Sequence, residues 1–296
     1  QKFGPEGEFL GMWGAFGQAE TPAAFWGPRD IVVTNDGRVM VTDTGNKRIV
    51  IFDEQGGFIS EFGSAGMNAG EFDEPVGLAL GVDGKVYVAD TWNHRIQKFN
   101  PQGEFLTTWG YFGQAEAPEA FWGPRDVAVD AQGRVYVSDT GNKRIVVFDA
   151  GGQYLTQFGQ AGLNAGEFDE PVGVAVASQG QVNVADTWNQ RIQVFSEAEN
   201  GTFQPVLSWD VSAWFGQSLD NKPYLAIGPG DHVFATDPEG YRVIEYTATG
   251  EIVRTWGDYS ETFEGFGLPG SVAVEPSGGV WVSDTGNSRV LHFTLP

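Results

Sequence analysis

The 296-residue chain has no cysteine, only three histidines and three methionines, and few cations: 17 Lys and Arg stand against 39 Asp and Glu, a net charge of −22. Without cysteine there is no disulfide framework, no thiolate metal site and no thiol nucleophile. A polyanion of this strength repels phosphate backbones and anionic headgroups, so nucleic acid and direct membrane insertion are not expected. No apolar run reaches membrane-spanning length and no charged-then-apolar leader opens the sequence, which leads to the expectation of a soluble mature domain or a soluble piece of something larger.

What the chain has in quantity is glycine (42), phenylalanine (22) and tryptophan (10), the makings of many tight turns between aromatic-rich strands. One phrase recurs six times: VTDTGNKRIVIF, VADTWNHRIQKF, VSDTGNKRIVVF, VADTWNQRIQVF, ATDPEGYRVIEY and VSDTGNSRVLHF. Its aspartates, Asp43, Asp90, Asp139, Asp186, Asp237 and Asp284, lie 47 to 51 residues apart, a propeller period. Within the second repeat the turn signals predict four strands, 75–80, 85–89, 95–99 and 104–109, which make one antiparallel blade. Such a blade cannot bury both faces alone, so six of them stack around an axis. The fold class is therefore all-β, a single six-bladed propeller over residues 1–296.

The ends predict how the ring closes. Residues 7–14 (GEFLGMWG) match the fourth strand of a repeat (GEFLTTWG, 103–110), yet precede any first strand. The last repeat stops after its third strand. Residues 1–14 are thus expected to supply the fourth strand of blade 6, whose first three strands fall at about 266–294, with blades 1 to 5 over about 25–257. A second period overlies the first: WGAFGQAETPAAFWGPRD from Trp13 returns 96 residues on as WGYFGQAEAPEAFWGPRD, and GMNAGEFDEPVG from Gly66 returns 96 residues on as GLNAGEFDEPVG. Blades alternate in two types, and the fifth, opening at Pro223, has diverged.

The unit F-x-x-P…DG-x-V-x-V-x-D-T-x-N-x-R-I-x-x-F, with five near-complete copies across the chain, resembles the NHL repeat, and the DTGNKRI and DTWN-x-RIQVF phrases look like those of bacterial NHL domains. That resemblance implies the propeller but little about function, because NHL-like propellers include RNA readers, protein-binding modules, a peptide-amidating lyase and domains attached to bacterial envelope proteins.

Residues that repeat in every blade serve the blade. The Asp and Arg of D-x-x-x-x-R are expected to close a turn, with the Arg binding carboxylate or carbonyl groups. The phenylalanines of F-x-x-P (Phe25, Phe72, Phe121, Phe168 and Phe266, with Asp220 in the fifth repeat) are expected as wedges between blades. What remains after subtracting the repeat points to two loop sets on one face. The connection into a first strand carries Trp26, Arg29 and Asp30, then Trp122, Arg125 and Asp126, and finally Trp214 ahead of Tyr224; the loop between second and third strands carries Trp92 and Trp188. Exposed tryptophans are enriched at binding surfaces. Arg29–Asp30 and Arg125–Asp126 follow first-strand prolines and are expected near the mouth of the central channel. The EFDEP segments, 71–75 and 167–171, add acidic clusters that could attract Ca²⁺, although their spacing matches no Ca²⁺ loop.

Catalytic sets are scarce. His94, His232 and His292 occupy three non-equivalent places in their repeats, so the zinc centre of the amidating lyase has no counterpart among them. Nucleophile-elbow and P-loop motifs are absent. Asp30 and Asp126 are the carboxylates that an enzyme could use. The leading expectation is a non-catalytic module without a cofactor, presenting an aromatic, acidic loop face to a protein or glycan ligand. It would lie outside the cytoplasm or at the cell surface, attached to a membrane-anchored parent chain. A metal-dependent hydrolase or lyase at the channel mouth is the first alternative, and an RNA-binding domain, which the charge opposes, is the second.

Overall fold

The computed structural model describes residues 8–214, 222–262 and 265–294. Six four-stranded antiparallel sheets form a six-bladed propeller, with the first strand, Glu8–Trp13, paired to the last, Arg289–Thr294. Phe9 faces Phe293 and Trp13 faces Val290, so the expected closure holds for the described part of 1–14; residues 1–7, like Asp220, lie outside the described residues. Blade 2 shows how closely turn chemistry set the boundaries: its strands are Pro75–Leu80, Val86–Asp90, Arg95–Phe99 and Phe105–Trp109.

The chain falls into two compact units, residues 1–63 with 218–296, and residues 64–217. The first holds blades 1, 5 and 6, and the second holds blades 2, 3 and 4. In each unit the core lies between adjacent blades. Because side chains alternate across a strand, Val135 and Val137 of blade 3 pack toward Ala79, Tyr87 and Ile96 of blade 2, while Tyr136 between them packs toward Val174 and Val182 of blade 4. Second strands such as Val86–Asp90 and Val135–Asp139 are buried at every position for this reason. Fourth strands cover a blade on one side only, and Phe105–Trp109 and Ile252–Trp256 alternate exposed with half-buried residues.

The F-x-x-P phenylalanines Phe25, Phe72, Phe121, Phe168 and Phe266 are all buried, as packing wedges should be. Phe25 and Phe121 meet the next phenylalanine of their blades, Phe52 and Phe148, edge-on at 5.8 Å. First strands approach so closely that side chains are excluded where they pass: a Cβ on Gly77 would lie 2.6 Å from the Cα of Asp126. Blade 5 departs most from the pattern, its first strand being only Leu225–Ile227.

Candidate functional site

A D-x-x-x-x-R turn closes every blade, written D-T-x-N-x-R in five of them and D-P-E-G-Y-R in blade 5. In blade 3, Asp139 accepts the backbone N–H of Trp122 at 2.8 Å, the amide of Asn142 at 2.8 Å and Nε of Arg144 at 2.8 Å. The same aspartate-to-arginine contact closes at 2.7–2.8 Å in the other five blades. Burial pushes the carboxyls of Asp43, Asp90, Asp139 and Asp186 above the usual aspartate value, against the pull of these hydrogen bonds. The arginine then gathers the inbound connection: Nη2 of Arg144 donates to the carbonyls of Ala117, Pro118 and Ala120. The threonine, to which the sequence assigns no role, reaches sideways: Thr91 Oγ1 donates to the Pro124 carbonyl at 2.9 Å and Thr140 Oγ1 to that of Pro171 at 2.6 Å, joining blade 2 to the first strand of blade 3 and blade 3 to that of blade 4.

This latch positions the loop face. Asn142 donates to the carbonyls of Gly113 and Ala120, the two ends of a loop whose flanks, Tyr111–Phe112 and Ala120–Phe121, pair in parallel. The loop therefore holds Tyr111 and Phe112 out toward solvent while Phe121 goes inward. Blade 1 repeats the device with Ala15–Phe16 against Ala24–Phe25 and Asn46 bridging Gly17 and Ala24. Phe16, Tyr111 and Phe112 are exposed, and no sequence argument singled them out; their signal was the WG-x-F-G segment present in blades 1 and 3 alone.

Four of the expected tryptophans, Trp26, Trp92, Trp122 and Trp188, are each about half exposed. They reach the turn by two routes. In blades 1 and 3 the indole comes from the inbound connection and lies on the glycine of D-T-G-N, so close that a Cβ on Gly45 or Gly141 would meet the Cγ of Trp26 or Trp122 at 2.5 Å. In blades 2 and 4 that glycine is itself the tryptophan, and the inbound position is Asp73 or Asp169, whose N–H takes the place of the Trp26 and Trp122 N–H on the turn aspartate. Trp92 Nε1 then reaches back to the next inbound residue, Glu74, at 2.6 Å.

The other expected site residues fare differently. Trp214 and Tyr224 are not on the surface: they are 1% and 3% exposed. Trp214 ends a short 3-10 turn whose N–H bonds the Val211 carbonyl, and Tyr224 is held by the Thr236 hydroxyl, so both are core pieces of their own units. Asp30 and Asp126 are also buried instead of facing a ligand. Asp30 Oδ1 accepts Ile31 N–H and the Ser271 hydroxyl at 2.6 Å, while Asp126 accepts Val127 N–H and, at 2.8 Å, Val174 N–H of the next blade. They staple first strands. Arg29 and Arg125, beside them, are half-buried.

The histidines stay apart in role. His232 pairs with Glu245 at 2.6 Å, His292 stacks flat on Trp281 at 3.6 Å, and His94 Nδ1 accepts the Gly123 N–H at 3.1 Å. Glu71 and Glu167 of the EFDEP segments accept the backbone and side-chain N–H groups of Asn68 and Asn164, which hold both carboxyls below their usual value. Among the described residues no three His, Asp or Glu side chains gather as ligands for a metal ion.

The backbone is similar to several solved propellers. A streptogramin B lyase superimposes with a TM-score of 0.65 at 16% identity over 97% of this chain and 98% of that one. A gluconolactonase from Xanthomonas campestris gives 0.68 at 12% identity over 92% and 87%, and the virginiamycin B lyase of Staphylococcus aureus gives 0.64 at 14% over 98% and 100%. At these identities the likeness is one of fold. In sequence, 52 residues are 40% identical to the RING finger protein nhl-1 of Caenorhabditis elegans, a match spanning 18% of this chain and 5% of that protein. The NHL repeat pattern matches residues 25–52, 72–99, 121–148, 168–195 and 266–293, each running from the wedge phenylalanine to the phenylalanine of the third strand. The chain is a six-bladed propeller carrying five NHL repeats.

Proposed function

We propose that this propeller is a non-catalytic binding module whose aromatic, acidic loop face receives a protein or glycan ligand. The observation that carries the reading is the half-exposed indole over the latch turn in blades 1 to 4, reached from different sequence positions in the two blade types. A tryptophan serving only as a lid would sink its ring; these leave nearly half of it to water, at a cost in apolar exposure. The carboxylates of Asp30 and Asp126, the candidates for acid and base, are taken up by backbone and hydroxyl donors, which favours binding over turnover. A peptide array and a glycan array probed with the wild-type chain and with a Trp92→Ala, Trp122→Ala, Trp188→Ala variant test it. Hits that disappear in the variant are the expected result. Hits that persist unchanged, or substrate turnover lost on Asp126→Asn, would overturn it.

A further inference from the structure

Four rings run without interruption across blades 2 and 3, all within the unit of residues 64–217. Trp92 meets His94 at 6.3 Å, His94 meets Phe112 at 4.9 Å, and Phe112 meets Trp122 at 6.5 Å. Phe112 is 58% exposed, although nothing in the loop chemistry requires an aromatic there. The His94 imidazole sits at the left-handed turn position that holds Lys143 in blade 3, and there Lys143 is bound to Asp169 at 3.0 Å. The border of the ring run is acidic: Glu74 touches the Trp92 indole and Asp73 precedes it, exposed.

Resting on the binding reading above, we propose that this ring run is a docking site for a protein segment bearing arginine side chains. A guanidinium is planar, stacks on indole and phenyl faces, and can at the same time donate in a fork to a carboxylate. The run supplies the faces and Glu74, against the Trp92 indole, a carboxylate. The net charge of −22 draws a cationic segment from a distance. A sugar would use the ring faces but draw nothing from that charge.

The test is fluorescence anisotropy at physiological ionic strength with three probes: a labelled Gly-Ser-spaced hexa-arginine peptide, its citrulline counterpart, and a labelled cello-oligosaccharide. The arginine peptide should bind and the citrulline peptide should bind at least about tenfold more weakly. Phe112→Ser and Trp122→Ala should each weaken the arginine peptide about three- to tenfold. Val206→Ser, on an exposed outer strand, and Ile252→Ser should leave it unchanged, and Phe112→Ser, being at the surface, should keep the wild-type melting midpoint. Arginine-peptide affinity indifferent to both ring variants would mean charge attraction alone and would overturn the docking site. Binding of the oligosaccharide, lost on Trp122→Ala, without binding of the arginine peptide would overturn the inference while sustaining the binding reading. No ring-dependent binding of any probe would overturn the inference and count against that reading for this face.

Discussion

Blades 1 and 3 differ from blades 2 and 4 in where the chain stores a tryptophan, and agree in leaving it about half exposed at the latch turn. The first pair writes FWGP and DTGN, the second FDEP and DTWN, and each choice makes room for the other: glycine under an incoming indole, aspartate beside a resident one. Two arrangements that trade both residues at once are one packing solution reached twice. The latch beneath shows no such freedom, because a carboxylate buried in every blade has to meet its arginine.

The largest effect should come from breaking the latch where it is deepest. Arg144 has a side-chain exposure of 4% and Arg242 of 39%. Asp139→Ala leaves a buried guanidinium unpaired and should cost about 3–5 kcal/mol by denaturant titration. Asp237→Ala, in the diverged fifth blade, strands a charge that water can reach and should cost less than half of that. Equal losses would show that the latch does not depend on burial.

The exchange of tryptophans between loops is open to a double-mutant cycle. Gly141→Trp alone overpacks against Trp122 and should cost about 1–3 kcal/mol. Trp122→Asp alone leaves the glycine uncovered and should cost about 1 kcal/mol. Combined, they rewrite blade 3 in the manner of blade 2, and the pair should recover at least about 1 kcal/mol of the summed loss. Strict additivity would mean that the two positions do not share one site.

The smallest effect concerns His94, where blade 2 differs from blade 4, which carries Gln190 at the equivalent turn. Burial holds the His94 imidazole below its ordinary value, and its Nδ1 accepts the Gly123 N–H. The unfolded chain therefore takes up this proton more readily than the folded one. The contribution is fully present above the unfolded value and is lost as pH falls through the folded one. Melting midpoints over about pH 7 to 5 should fall less steeply in His94→Gln than in the wild type, and superimposable slopes would refute the assignment.

Much of this was legible in the residues. The 47-to-51-residue spacing of six aspartates gave the blade count, and the misplaced GEFLGMWG gave the closure, because each is a pattern in sequence distance. Trp26, Trp92, Trp122 and Trp188 stood out as departures from the repeat and are indeed at the surface. Trp214 and Tyr224 failed because blade 5 follows the repeat too loosely for position to predict burial, and both are buried. Asp30 and Asp126 failed for another reason: a carboxylate just past a proline looks the same whether it faces solvent or a neighbouring strand's N–H, as Asp126 faces Val174.

The sequence by itself determined the period, the strands and the latch, since these depend on alternation, turn residues and pairings five residues apart. Tertiary structure alone decided which rings meet. Trp92 and Trp122 are 30 positions apart and come together through His94 and Phe112 only because a blade buries its faces against its neighbours. That distance is set by how sheets pack, and no local pattern of residues encodes it.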